Sequence, residues 1–121
     1  MTAYGLAHLR PPAVLPGEAF QYLERIQATL DPYGGKFLVH GAPVQVLEGE
    51  WPGSLVVIEF PDVAAAHEWY DSPAYQEILR MRADHIPGDL VIVEGCGPDH
   101  DSAAMAAAMR AAAASQVQYS A

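Results

Sequence analysis

The spacing of apolar positions changes repeatedly along this chain, and each change predicts an element. Residues 2–9 alternate, with Tyr4, Leu6 and His8 on one face and Ala3, Gly5, Ala7 and Leu9 on the other, as a strand with one bulky and one small face requires. Arg10, Pro11 and Pro12 end it, because proline lacks an amide donor and restricts the residue before it. Over residues 18–33 the period lengthens: Ala19, Leu23, Ile26 and Leu30 draw a helical stripe, which Gly34 and Gly35 stop. Residues 36–40 predict a short strand with Leu38 and His40 on one face, and after Gly41, Ala42 and Pro43 extended structure can resume over residues 44–48. A turn follows at residues 49–54. The run LVVIEF, residues 55–60, is β-branched and almost wholly apolar, so it predicts a central strand.

Pro61 and Asp62 then open a second helix, in which Val63, Ala66, Trp69 and Tyr70 share a face. Asp71, Ser72 and Pro73 interrupt it, since serine before proline is a strong start signal for a new helix. That helix runs over residues 73–85 with Tyr75, Ile78, Leu79 and Met81 as its apolar positions. Pro87 and Gly88 end it, and residues 89–95 predict the last strand. Beyond Pro98 the chain is mainly alanine with Met105, Met109 and Arg110, which predicts an appended helix that either docks through its methionines or frays. The expected division is a domain over residues 1–97 and an alanine-rich tail over residues 98–121.

The element order β, α, β, β, α, β constrains the architecture. Two right-handed β-α-β crossovers place strands one and three at the centre of a four-stranded antiparallel sheet, strands two and four at its edges, and both helices on one face. The other face, carrying Tyr4, Leu6, Leu38 and Val57, is too apolar to leave in water, and packing two such faces together predicts a homodimer.

Composition narrows the class. At 121 residues with 51% hydrophobic side chains, the chain predicts one globular domain. Six Lys and Arg against fifteen Asp and Glu give a net charge of -9, which repels nucleic acid and anionic membrane surfaces. No stretch of about 18 apolar residues predicts a membrane span, and no basic leader precedes an apolar run. The single cysteine, Cys96, has no disulfide partner or second thiolate, as expected of a cytoplasmic protein.

The series GGKFLVHG, LEGEW, VVIEFPD, AAHEWYDSPAYQEI and a closing IVEG resembles the DUF1330 family of small bacterial proteins, within the dimeric α+β barrel superfamily. The resemblance spans residues 2–95 and implies a ferredoxin-like α+β fold and a homodimer, without a common activity. The family pattern more often carries arginine where His40 stands. Here a permanent cation is replaced by a group that exchanges protons near neutral pH, so proton transfer becomes the easier role to assign.

Candidate chemistry follows from polar groups in apolar strands. Glu59 interrupts LVVIEF, and a buried carboxylate needs a partner. If the strand registers match, His40 and Glu59 lie on one face as an acid/base pair, with His8 completing a polar cluster; the same pattern also describes a structural ion pair. Trp69, Tyr70 and Tyr75 surround the helix break, where they can line an apolar site or fill the core. Arg80 and Arg82 can bind a substrate carboxylate, but two residues apart on a helix at most one points into a pocket. The five histidines show no His-x-x-x-His spacing, and no dinucleotide, Walker or GxSxG motif occurs, so neither a metal nor a cofactor is expected. Two readings stand: a cofactor-independent isomerase, cyclase or monooxygenase acting on a small, mostly apolar molecule through His40, Glu59 and His8, or a non-catalytic protein that binds such a metabolite.

Overall fold

Every predicted element but one forms. In the computed structural model, which describes residues 1–120 and side chains through residue 116, β1 (Ala3–Leu9) leads to α1 (Gly17–Leu30), a 3-10 turn (Asp31–Tyr33) and β2 (Lys36–His40). Then come β3 (Ser54–Phe60), α2 (Val63–Asp71), α3 (Pro73–Ala83), β4 (Gly88–Glu94) and α4 (Ser102–Ser120). The sheet order is β2-β3-β1-β4 with every pair antiparallel, so β1 and β3 are central and the fold is ferredoxin-like. The exception is residues 44–48, which join no strand; they belong to a loop of residues 41–53 in which Gly41, Gly49 and Gly53 all have positive φ. Gly53 is required there: its φ is 100°, and a Cβ would lie 2.0 Å from the carbonyl oxygen of Leu9.

Hydrogen bonds at the helix ends explain the break between α2 and α3. Asp62 caps α2 by accepting from the Ala65 amide at 2.7 Å. Ser72 serves both helices, donating its hydroxyl to the Trp69 carbonyl at 2.6 Å and accepting from the Tyr75 amide at 3.2 Å. Its side chain therefore fixes the angle at which Trp69 and Tyr75 enter the core.

The core lies between the sheet and α1, α2 and α3. Val56, Ile58 and Phe60 supply its floor, and Ile26, Leu30, Trp69, Tyr75 and Ile78 its roof. On α1 the buried face carries Tyr22 and Thr29, whereas Leu23, placed on the stripe by hydropathy, is 45% exposed. Tyr22 and Thr29 are buried because each finds a polar partner in the roof: the Tyr22 and Tyr75 hydroxyls lie 2.9 Å apart, and Trp69 Nε1 donates to Thr29 Oγ1 at 3.0 Å.

The sheet's opposite face bears no helix packed by the core. By alternation it carries Tyr4, Leu6 and His8 of β1, Val57 and Glu59 of β3, and Val91 and Val93 of β4. Val91 and Val93 are exposed in the single chain, as are Leu38 and Leu47 of the adjoining edge and loop. Met105 and Met109 of α4 are also exposed, so among the described residues the methionines do not dock into the core. Among the described residues no helix is long and apolar enough to cross a membrane.

Candidate functional site

Between α1, α3 and the sheet the side chains leave a cavity of about 80 Å³. Its walls are apolar: Ile26 from α1, Val56 and Ile58 from β3, Phe37 from β2 and Trp69 from α2 all reach it, and Leu15, Leu23 and Ile86 line it as well. Polar groups enter at only a few points. Tyr22 and Tyr75, whose hydroxyls are paired, Arg82 and His40 are the lining residues that carry polar side-chain groups. The volume suits a short chain or a part of one ring, well under the several hundred Å³ typical of sites for drug-sized ligands.

His40 reaches this cavity because β2 is irregular. Phe37 pairs with Ile58 and Val39 with Val57, so the register slips at Leu38, and His40 then pairs with Val56 on the helix side. Its ring lies flat on Phe37, with centroids 4.1 Å apart and an interplanar angle of 2°. His40 stays exposed to solvent on one side, and its partial burial against this surface lowers its pKa from the ordinary 6.5, so the neutral form, with a free nitrogen lone pair, is favoured at pH 7.

The same slip overturns the expected His40 and Glu59 pair. A bulge is invisible to strict alternation, which put Leu38 and His40 on one face; the extra residue turns His40 to the helices while Glu59 stays on the open face. There Glu59 sits opposite Tyr4 on one side and Lys36 on the other, and among the described residues it makes no ion pair: it is only partly buried on the open face, so the demand for a cation does not arise within the chain. His8 shares the open face but pairs with Leu55, four residues along β1 from Tyr4, a separation of about 13 Å from Glu59. It stacks on Trp51, with centroids 4.3 Å apart, and bonds the Pro52 carbonyl, so it pins the 41–53 loop to the sheet.

The aromatic candidates divide too. Trp69 and Tyr75 are buried and line the cavity, at once core and wall. Tyr70 stands behind them, packed edge-on against Trp69, and faces a separate groove with His67 and Ile92. Of the two arginines, Arg80 is exposed and Arg82 reaches the cavity, its Cζ 5.9 Å from the centre of the Tyr22 ring. Tyr22 and Phe37 were not singled out as site residues. The signal for Tyr22 was a phenol one position off the apolar stripe of α1. Burial, next to Tyr75, pushes the Tyr22 phenol far up, so it is a neutral donor throughout the physiological range. Among the described residues, no three His, Cys, Asp or Glu side chains group as a metal site.

A family profile described as a domain of unknown function, DUF1330, matches residues 2–96. The chain belongs to the DUF1330 family. The match takes in β1 through β4 and stops short of α4. No curated protein matches this DUF1330 chain in sequence. Among solved structures, it is similar to RPA0582, a protein of unknown function from Rhodopseudomonas palustris, at 25% identity and a TM-score of 0.61, over 80% of this chain and 84% of that one. It is also similar to a dimeric ferredoxin-like protein of unknown function from Jannaschia sp. CCS1, at 17% identity and a TM-score of 0.54, over 78% of this chain and 100% of that one. A variant of SnoaB, a cofactor-independent oxygenase from Streptomyces nogalater, shares the fold at 10% identity and a TM-score of 0.56, over 83% of this chain and 98% of that one.

Proposed function

We propose that this DUF1330 protein is a homodimer whose protomers each handle a small, mostly apolar organic molecule in the cavity beneath α1 and α3, with His40 as the proton acceptor. The observation that carries the reading is His40 itself. A neutral imidazole, flat on Phe37 at the edge of an apolar chamber, can take a proton from a bound molecule without a cofactor. Trp69 and Tyr75 form the substrate-facing wall, and the chemistry that fits is proton abstraction, as in an isomerisation or cyclisation or as the first step of a cofactor-independent oxygenation. SnoaB, a cofactor-independent oxygenase of the same fold, gives that class a precedent.

Dimerisation rests on the uncovered sheet face. Leu6, Val57, Val91 and Val93 form an apolar surface that a second copy of the sheet would cover, and the Jannaschia relative is dimeric. Glu59 and His8 then belong to the interface side. The exposed lone Cys96 fits a reducing, cytoplasmic setting.

One observation favours the second reading, a metabolite-binding protein without turnover: among the described residues no carboxylate hydrogen-bonds His40 to orient it, Glu59 being on the other face. Deuterium incorporation separates the two. Wild-type protein in D2O, incubated with a panel of small enolisable ketones and keto acids, should label at least one of them, and His40→Gln should lower that rate by at least about a hundredfold. Labelling that is unchanged in His40→Gln removes His40 from the chemistry, and no labelling by wild type leaves the binding reading.

A further inference from the structure

Apart from His40, the polar side chains lining the cavity, Tyr22, Tyr75 and Arg82, can all donate, and among the described residues Arg82 has no carboxylate to neutralise its charge. The chain has fifteen acidic side chains against six Lys and Arg, so a carboxylate partner for any cation is easily supplied. Arg10 has Asp89 at 3.2 Å and Arg25 has Glu77 at 3.5 Å. Arg82 is half-buried, yet among the described residues no ion pair includes it, and its neighbours are the phenols of Tyr22 and Tyr75. Lys36, Arg80 and Arg110 also lack an ion pair, but they stand in water, where a lone cation costs little.

The phenols sharpen the point. Tyr22 and Tyr75 share one O–H···O contact at 2.9 Å, which uses one of their two protons. The other hydroxyl proton has no acceptor among the described side chains, because a guanidinium offers only N–H groups. A phenol proton and a guanidinium fork therefore belong to neighbouring residues that line one largely hydrocarbon chamber. A neutral ligand would leave the cation uncompensated beside an apolar body. A carboxylate would meet the guanidinium fork and the phenol together, its two oxygens matching the donor geometry.

We infer that the ligand is a small carboxylic acid bound as its anion, its carboxylate held by Arg82 and the Tyr22–Tyr75 pair and its apolar part against Trp69, Ile26 and Ile58. This rests on the reading that the cavity is the ligand site. It gives the acid group an anchoring role and leaves His40, on the β2 side of the same cavity, for the reacting part of the molecule. The overall charge of -9 disfavours anions at long range, so selection of an acid depends on the local donors and weakens little with salt once the pair is out of water.

The test compares acids with their amides, benzoate with benzamide and butanoate with butanamide, on the full chain at pH 7. The indole N–H signals of Trp69 and Trp51 report the binding by NMR. Trp69 lines the cavity and Trp51 lies in the 41–53 loop, so a shift of Trp69 alone marks the chamber. At least one acid should bind about tenfold or more tightly than its amide, the scale of a charge-assisted hydrogen bond, and that preference should vanish in Arg82→Met. Tyr22→Phe, which keeps the ring and the Arg82 contact, should weaken the preference and supplies the answer should Arg82→Met not fold. Equal affinities for acid and amide in wild type, or a preference that survives in Arg82→Met, overturns the carboxylate inference alone. Failure of every probe to move Trp69 overturns both it and the cavity as the ligand site.

Discussion

Thr29→Val removes one oxygen from the roof of the core, next to the Trp69 that lines the cavity, and leaves the side chain's volume nearly unchanged. Thr29 is 7% exposed and Trp69 is 2% exposed, so water does not replace the lost acceptor when Trp69 Nε1 is deprived of its 3.0 Å bond. The second bond of Thr29, from its hydroxyl to the Ile26 carbonyl at 2.6 Å, matters less, because that carbonyl lies within α1 and serves the helix ladder. The cost is therefore that of one buried, unsatisfied N–H, about 1–3 kcal/mol. For a domain of this size that corresponds to a fall in Tm of roughly 4–12 °C. Thermal melts at pH 7 of wild type, Thr29→Val and Thr29→Ser would measure it, with the serine variant retaining the acceptor and most of the stability. Trp69→Phe completes the cycle: without an indole N–H, Thr29→Val should cost at least about 1 kcal/mol less than it does in wild type. Equal costs in the two backgrounds would refute the claim that this bond fixes Trp69 in the cavity wall.

The other expectations concern the assembly, the histidine and the tail. Val57→Asp places a carboxylate at the centre of the open sheet face, so sedimentation should find the wild type dimeric at micromolar concentration and the variant monomeric; a stable wild-type monomer would remove the dimer from the account. Because the His40 pKa is lower in the folded chain than the ordinary 6.5, the unfolded state takes up the proton first as pH falls. Its contribution to stability is complete above about pH 6.5 and is lost as pH falls through the folded value, so His40→Asn should slightly flatten that part of the Tm-against-pH curve relative to wild type, and parallel curves would count against a partly desolvated imidazole. Ending the chain after Pro98 should leave the oligomeric state unchanged and move Tm by only a few degrees at most, since residues 102–116 are exposed along their whole length; dissociation or unfolding would make α4 part of the core.

The order of elements could be read from the sequence because periodicity and punctuation agree at each boundary. Ser72 before Pro73 marked a helix start, and the hydroxyl caps the new helix as that pairing implies. LVVIEF was legible as a central strand because burial on one side and β-branching on both leave few alternatives. What failed was the facing of one residue. Strict alternation assigns His40 to the side of Leu38, and nothing in KFLVHG distinguishes a regular strand from one with an extra residue at its middle. That single slip separates His40 from Glu59 and moves the candidate chemistry from the open face to the helix side. Tyr22 and Thr29 escaped for a different reason: a hydropathy stripe counts them as polar, and only the positions of Tyr75 and Trp69 across the core make their burial favourable.

The most direct test of the account is where an uncharged apolar probe binds. Titrating the Ile-, Leu- and Val-methyl-labelled protein with xenon, small enough for the cavity, and following carbon-detected methyl shifts reads the two faces of the sheet separately and does not depend on the carboxylate inference. The account predicts saturable shifts at Ile26, Ile58, Val56 and Leu23, which line the cavity, while Val57, Val91 and Val93 on the opposite face stay in place. Shifts confined to Val57, Val91 and Val93, with Ile26 and Ile58 unmoved, would contradict it.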